Sequence, residues 1–145
     1  NILAYMKKIV FFIISLFSLA TMAQNVETDT AGFERFSYTE SDTTFTMKKY
    51  FMVLLKSGSN RGQTQEESME IQKNHLAHIN WMAEQGYVDM AGPFADDGEI
   101  RGILVMRVPT LERARELAAM DPAVKAGRLV MEIHPWWAAE GSCLK

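Results

Sequence analysis

The sequence predicts an α+β fold in which an antiparallel sheet carries two helices on one face. Two observations predict this class. Short runs of branched and aromatic residues, bounded by glycine and proline, are typical of strands. Two longer stretches between them repeat apolar residues every three to four positions, as helices do. The predicted order is strand, helix, strand, strand, helix, strand, which is the ferredoxin-like split arrangement.

The composition is that of one globular domain without a basic surface. The chain has 145 residues, of which 48% are hydrophobic and 23% are charged, and this is enough for a single modest core. The formal net charge is −3 and the basic residues are scattered along the chain. Nucleic acid is therefore not a predicted partner.

Residues 1–23 are predicted to be an upstream extension and a signal peptide. Met6 and two lysines form a basic start, residues 9–19 form an apolar run, and residues 21–23 offer small side chains for cleavage. The apolar run is about half of the ~20 residues that span a bilayer as a helix. We expect a secreted or periplasmic protein that is cleaved near Ala23 and has no stable membrane anchor.

Residues 24–47 are predicted to be a flexible linker, because Thr, Ser, Glu and Asp dominate and apolar residues are few. Only its last residues are expected to pair with a sheet edge. Residues 138–145 are predicted to be a C-terminal tail. The tail contains the single cysteine, Cys143, which rules out a disulfide within one chain.

The first strand of the domain, residues 50–56, is apolar on both alternating faces. Helices of the same chain cover one face of the sheet, and no third layer is available for the other face. A second copy of the same sheet is the simplest cover. The sequence therefore predicts a homodimer with its sheets facing each other.

The central helix is predicted over residues 66–85. Thr64 and Glu67 fit a capping box at its start, and Gly86 is placed to end it. Its apolar stripe contains a histidine, His75, at a position expected to face the core. The stripe is formed by Ile71, His75, Ile79 and Met82.

The remaining elements complete the predicted order. A strand over residues 87–91 is expected to break at Gly92-Pro93, and residues 96–98 signal a hairpin into a strand over residues 100–108. The second helix covers residues 111–120, and Asp121-Pro122 interrupts it. The last strand begins at Leu129, and Trp136 follows it.

Several of these segments together resemble the YCII-related family. They are the strand YFMVLLK, the run His75-Leu76-Ala77-His78-Ile79, the turn Ala91-Gly92-Pro93-Phe94, residues 121–127 and the closing strand. The resemblance covers roughly residues 49–137, within a domain assigned to residues 48–137. It implies a dimeric α+β barrel of ferredoxin-like subunits.

The resemblance also implies a site. In the family, a His on the first helix and an Asp before a Pro are proposed to form a dyad in a cleft, and the matching residues are His75 and Asp121. One relative is a dehydrochlorinase acting on a chlorinated aromatic diol. A signal peptide and a Trp-Trp ending depart from the small cytoplasmic members.

The chemistry of such a pair is general acid/base catalysis. An unperturbed histidine has a pKa of about 6.5, and a carboxylate on one ring nitrogen fixes the tautomer and stabilises the imidazolium. Two structural alternatives stay open. His75 can be a packed histidine bonded to a carbonyl or to water, and Asp121 can be an N-cap ahead of Pro122.

Four further positions are predicted to contact a substrate. Gly92 and Pro93 form a turn that a ligand can approach closely, and His78 lies at the rim of the helix interface. Trp136 either stacks on an aromatic substrate or closes the barrel edge. Arg101 and Arg107 share one strand, where solvated or dimer-pairing arginines are more common than ligand-binding ones.

No metal and no cofactor are predicted. His75, His78 and His134 are not joined by Cys, Asp or Glu in a metal-binding spacing, and no nucleotide, flavin or haem motif occurs. The favoured function is a lyase or dehydrochlorinase-like proton-transfer enzyme acting on a small apolar or aromatic molecule. The alternatives are a non-catalytic module that binds a small ligand and a purely structural dimer.

Overall fold

The computed structural model describes residues 25–142 and residue 144. The predicted upstream extension and signal peptide, residues 1–23, lie outside the described residues, as do Gln24 and Cys143. Within the described part of the chain, no helix is long and apolar enough to cross a membrane.

Six strands and three helices form the described chain. In chain order they are β1 (Glu27–Thr28), β2 (Glu34–Glu40), β3 (Thr43–Ser57), α1 (Gln65–Glu84), β4 (Val88–Pro93), β5 (Ile100–Met106), α2 (Leu111–Ala119), α3 (Pro122–Lys125) and β6 (Leu129–Ala139).

The long strand β3 is the centre of an antiparallel sheet. On one side it pairs with β6, and on the other side its second half pairs with β5, beyond which lies β4. The four strands of the domain thus stand in the order β6, β3, β5, β4. The predicted α+β class with an antiparallel sheet is confirmed, and this order is consistent with the ferredoxin-like arrangement.

The prediction of a flexible linker over residues 24–47 is wrong for Glu34–Glu40, which form β2, whereas the last residues of this segment pair with the sheet as expected. Strand β2 and the first part of β3 form a hairpin, in which Arg35 stands opposite Lys48 and Glu40 opposite Thr43. The ring of Phe36 lies 4.9 Å from that of Trp137 on β6, so the hairpin also contacts the domain. Alternating aromatic residues provide this cross-strand packing. The polar residues between them made the two-residue repeat of a strand hard to recognise in the sequence.

The predicted tail begins inside a strand. Strand β6 continues to Ala139, and the backbone N–H of Glu140 donates a hydrogen bond to the carbonyl of Thr46 (2.8 Å). Pairing with the hairpin supplies the ladder partners that the last residues of β6 need. The described domain therefore extends beyond both predicted boundaries, residues 48 and 137.

Local signals for α1 are confirmed. The Thr64 hydroxyl accepts from the N–H of Glu67 (3.2 Å), and the Glu67 carboxylate accepts from the N–H of Thr64 (2.7 Å). The helix ends before Gly86, which adopts φ +74°, a left-handed conformation that glycine takes without a Cβ penalty. Both ends of α1 are thus set by residues within one turn of the helix.

The predicted break of strand β4 at Gly92-Pro93 does not occur. The strand runs through Pro93, which stands opposite Gly102. Because β4 is an edge strand with a free outer side, a proline there costs no ladder hydrogen bond. The two residues are therefore part of the strand and not a sharp turn.

The core lies between the helices and one face of the sheet. Inward-facing residues alternate along β3 and β5, and α1 and α2 close over them. Burying each large apolar side chain contributes about 1.5–3 kcal/mol. The buried residues are Phe51, Val53, Leu55, Met82, Val88, Leu104, Met106, Val108, Ala114, Leu117 and Ala118.

The opposite face of the sheet carries a second set of apolar side chains. In the strand register, Met52 stands opposite Val105 and Leu54 opposite Ile103. Described helices do not pack on this face, but Ser142 and Leu144 line a cavity on it together with Val105, which is 6% exposed. Trp136 on the same face is 41% exposed.

Candidate active site

His75 and Asp121 form a buried pair between α1 and α3. His75 stands in the middle of α1 on its inward face, and Asp121 directly precedes α3. The two residues are 8% and 1% exposed, and His75 Nδ1 lies 2.7 Å from Asp121 Oδ2. The structure thus brings the two candidate catalytic residues within hydrogen-bond distance.

Asp121 is also the N-cap of α3. Its second oxygen, Oδ1, accepts from the backbone N–H of Ala123 (2.8 Å), and Pro122 occupies the first helical position. Capping and pairing were alternatives in the sequence. The structure shows that Asp121 does both, with one oxygen for each contact.

This contact decides where His75 carries its proton when the ring is neutral. An ionised carboxylate only accepts hydrogen bonds, so Nδ1 must be the N–H that donates to Asp121. The lone pair is then on Nε2, which bonds with no described residue. Every fully buried side-chain nitrogen in the described chain has a hydrogen-bond partner. Because Nε2 of His75 has no such partner, it must retain some solvent-accessible surface.

His75 lines a cleft of about 480 Å³ between α1 and strands β4 and β5. This volume is within the usual range for small-molecule sites. Most of the lining is apolar. The lining residues are Leu55, Gln72, His75, Leu76, Ile79, Asn80, Ala91, Gly92, Pro93, Arg101, Gly102, Ile103, Leu104 and Leu129.

Three polar side chains in the cleft were not predicted as site residues. Gln72 and Asn80 flank His75 along α1, and Arg101 comes from the start of β5. Nη1 of Arg101 donates to the backbone carbonyls of Asp96 (3.1 Å) and Gly98 (3.0 Å). The sequence contained a signal for Arg101, a charge within an apolar strand, but no means of telling that it reaches the cleft of His75.

Gly92 and Pro93 line the cleft, as their predicted role requires. The closer approach, however, is made by Gly102, which sequence reasoning missed. A Cβ on Gly102 would lie 2.8 Å from the carbonyl oxygen of Gly92, whereas a Cβ on Gly92 meets nothing within 4 Å. A glycine inside a strand is the sequence signal for such a contact.

His78 does not line this cleft. Its Nε2 donates to the carbonyl oxygen of Leu117 on α2 (2.9 Å), and its ring stacks on Trp81 at 5.6 Å. Three residues advance a helix by less than a full turn, so His78 faces α2 while His75 faces α3. The structure therefore separates His78 from the predicted substrate site.

Trp136 lies on the opposite face of the sheet from His75. It stands opposite Tyr50 in the β3–β6 ladder, with ring centroids 6.4 Å apart, and lines a separate cavity of about 460 Å³. Burial raises the pKa of Tyr50 in that cavity, with a smaller effect of Asp89. The proposed stacking of Trp136 on a substrate beside His75 does not fit this geometry.

The described residues contain no group of three or more His, Cys, Asp and Glu side chains placed to hold a metal ion. His134 is on the face opposite His75, where its Nε2 lies 2.7 Å from Glu132 Oε1. Besides His75, the polar side chains that line the cleft are Gln72, Asn80 and Arg101.

Comparison with known proteins gives a family and several solved structures. A family model described as YCII-related domain matches residues 50–137. One of the similar solved structures is 5-chloro-2-hydroxyhydroquinone dehydrochlorinase from Burkholderia phenoliruptrix AC1100 in complex with 2,5-dihydroxybenzoquinone. It is 18% identical, with a TM-score of 0.47, over 60% of this chain and 92% of that chain. No curated protein matches the sequence significantly.

Proposed function

The chain belongs to the YCII-related domain family, and on this premise we propose that it is a proton-transfer enzyme for a small apolar or aromatic molecule. His75 is the general base and acid, and Asp121 orients it. The observation that carries the proposal is the 2.7 Å contact between His75 Nδ1 and Asp121 Oδ2, which leaves Nε2 as the proton acceptor beside the cleft.

The reaction begins when Nε2 takes a proton from an acidic C–H or O–H group of the bound molecule. The imidazolium that forms is stabilised by the carboxylate of Asp121, which is 1% exposed. Where the substrate carries chloride on the neighbouring carbon, the electron pair of the broken C–H bond forms a double bond and chloride leaves. This is a lyase reaction of the dehydrochlorinase kind.

The cleft supports proton transfer more than acyl transfer. None of its described lining residues is Ser, Thr or Cys, so no side chain is present for a covalent acyl intermediate. Apolar side chains such as Ile79 and Leu104 exclude water, which strengthens the electrostatic interaction between the imidazolium and its carboxylate.

The test is turnover of a panel of chlorinated hydroquinones and small aromatic acids. Chloride release is followed by an ion-selective electrode, and deuterium incorporation from D₂O by NMR. We expect His75→Gln to lose activity by at least about 100-fold. The matched control is His134→Gln, which removes a histidine from the other face of the sheet and is expected to retain activity.

Equal activity of the wild type and His75→Gln rules out the mechanism. Binding of panel members in the cleft without turnover by the wild type favours the alternative, a non-catalytic module that binds a small ligand. If no panel member binds in the cleft of the folded protein, the structural dimer is favoured.

We further propose that the protein is a homodimer formed through the open face of the sheet. The proposal is supported by the apolar side chains of this face, Met52, Leu54, Met90 and Ile103, which are only partly buried by the described residues. An uncovered apolar face is typical of an interface, and identical surfaces meet in a two-fold dimer.

Export is proposed on the sequence of residues 1–23 alone. The supporting features are the basic start, the short apolar run and the small residues that end at Ala23. Intact-mass spectrometry of the protein recovered from outside the cytoplasm tests it. The expected mature chain begins at Gln24, and an uncleaved chain in the cytoplasm would contradict the proposal.

A further inference from the structure

Arg101 is the only charged side chain, apart from any charge on His75, among the described residues that line the cleft. No Asp or Glu is among them. A single cation in a largely apolar lining, without an anion beside it, creates a local positive potential that favours an anionic group on a ligand.

The guanidinium of Arg101 is held by its own hairpin. Both of its hydrogen bonds to described residues use Nη1, which donates to the carbonyls of Asp96 and Gly98 in the loop between β4 and β5. These bonds fix the plane of the group. They leave Nε and Nη2, which together form one edge of the guanidinium with two parallel N–H donors.

Among the described residues, Arg101 has no carboxylate partner, unlike several other arginines. No described Asp or Glu lies within ion-pair distance of it, whereas Arg107 pairs with Asp89 (2.9 Å) and Arg113 with Glu116 (3.1 Å). The neighbouring acid Glu99 is engaged by Lys56 (3.0 Å). The charge of Arg101 is thus not neutralised by a direct ion pair within the described chain.

We propose that Arg101 is the specificity-determining residue of the cleft and binds the carboxylate of a substrate whose apolar or aromatic body lies against Ile79 and Leu104. The free Nε and Nη2 edge matches the two oxygens of a carboxylate. This inference rests on the proposed function, since it names the substrate class for the same cleft, but its test needs no turnover.

The experiment compares benzoate with benzamide, two probes of similar shape that differ in charge. Each is titrated into the full chain, and binding is followed by the ¹H–¹⁵N signals of cleft residues, Ile79 and Gly102 among them. We expect the wild type to bind benzoate at least about tenfold more tightly than benzamide. In Arg101→Gln the benzoate affinity falls by about 10- to 100-fold, whereas the benzamide affinity changes by less than about threefold.

Two further variants separate charge from structure. Arg101→Lys keeps the charge without the two-donor edge and is expected to lie between the wild type and Arg101→Gln. Arg115→Gln removes an exposed arginine of α2, with the same change in net charge, and is expected to bind both probes as the wild type does. If Arg101 had only a structural role in the loop, the Arg101→Gln substitution would lower the affinities for benzoate and benzamide equally.

The proposal is overturned by equal affinity of the wild type for both probes, by unchanged benzoate affinity in Arg101→Gln, or by the absence of benzoate binding in the cleft. Its failure is distinct from failure of the proposed function. Charge-selective binding without turnover leaves Arg101 in its role and removes the enzyme assignment. Turnover of uncharged substrates, with no preference for benzoate over benzamide, supports the enzyme assignment and removes the proposed role of Arg101.

Discussion

Asp121 contacts His75 with one carboxylate oxygen and the first turn of α3 with the other. Oδ2 lies 2.7 Å from His75 Nδ1, and Oδ1 accepts from the N–H of Ala123 at 2.8 Å. The cap holds the carboxylate in place while the histidine contact uses its remaining oxygen. One residue therefore couples the position of α3 to the tautomer of a side chain 46 positions earlier in the chain.

Asp121→Asn is predicted to invert the tautomer of His75 with little loss of stability. An Asn side-chain oxygen still caps α3, so the free energy of unfolding should fall by about 1 kcal/mol or less. Its amide nitrogen then donates to Nδ1, which moves the ring proton to Nε2. Long-range ¹H–¹⁵N NMR spectra report the tautomer, and any turnover should fall by about 10³- to 10⁴-fold.

Asp121→Ala is the comparison variant. It removes both contacts, so we expect a loss of about 2–4 kcal/mol in the free energy of unfolding, measured with urea. An Asp121→Asn protein that keeps its proton on Nδ1 would show that Asp121 does not control the tautomer.

Gly102→Ala is predicted to destabilise the fold and narrow the cleft. Its Cβ would lie 2.8 Å from the carbonyl oxygen of Gly92 on the paired strand, so β4 must shift away from β5. Such overpacking costs about 1–3 kcal/mol. Urea unfolding measures the loss, and ¹H–¹⁵N shifts of the cleft amides report the movement of β4.

Gly92→Ala is the matched control for Gly102→Ala. A Cβ at Gly92 meets nothing within 4 Å, so its stability should stay within about 0.5 kcal/mol of the wild type. Equal destabilisation by the two substitutions would contradict the close approach at Gly102.

Glu140 is predicted to stabilise the N-terminal hairpin in a pH-dependent way. The hydrogen bond from Arg35 lowers the pKa of Glu140 from its ordinary value of 4.5. A lowered pKa in the folded state gives a contribution that is present above pH 4.5 and is lost as the pH falls through the lowered value. Because the side chain is 41% exposed, solvent screening limits this contribution to about 0.5 kcal/mol.

The measurement is amide hydrogen exchange in β2 for the wild type and Glu140→Gln. At neutral pH the variant should exchange faster, and below the lowered pKa the two proteins should converge. Glu40→Gln, at the exposed end of the same hairpin, is the control and should exchange like the wild type. A difference between wild type and Glu140→Gln that persists in acid would exclude the ion pair as its cause.

Met52→Glu is predicted to prevent the proposed homodimer. Met52 lies on the open face opposite Val105, and a carboxylate there would be buried without a partner in an interface between two sheets. Size-exclusion chromatography with light scattering at micromolar concentration is the measurement. The expected result is a wild-type dimer and a Met52→Glu monomer.

Met120→Glu is the control for the dimer. Met120 is 46% exposed at the end of α2, away from the sheet face, so this variant should remain dimeric. A monomeric wild type would rule out the interface.

Local features were predictable in detail. The capping box of Thr64 and Glu67, the helix end at Gly86 and the alternation in β3 depend on residues within a few positions of each other, and all are found in the structure. The hairpin over residues 34–48 was missed because its packing is not local. Phe36 contacts Trp137, about one hundred positions away in the sequence, and no local pattern reveals such a partner.

The candidate site was predictable only in part. The family resemblance indicated His75 and Asp121, which the structure brings together. The positions of His78 and Trp136 in the sequence also suggested substrate contacts, but both residues lie elsewhere. A step of three residues in a helix rotates a side chain toward a different neighbour. In a strand, neighbouring residues point to opposite faces of the sheet, so a shift of one position moves a side chain to the other face.

The sequence by itself determined the order of the four strands and two longer helices of the domain and the two ends of α1, because these follow from periodicity and from hydrogen bonds within one turn. Only the tertiary structure decided that Asp121 contacts His75 with one oxygen and caps α3 with the other. It alone also decided that the backbone of Gly92 closely approaches Gly102, and that Arg101 and His75 line the same cleft. Each of these relationships joins residues from different elements. Its geometry exists only after the sheet and the helices have packed.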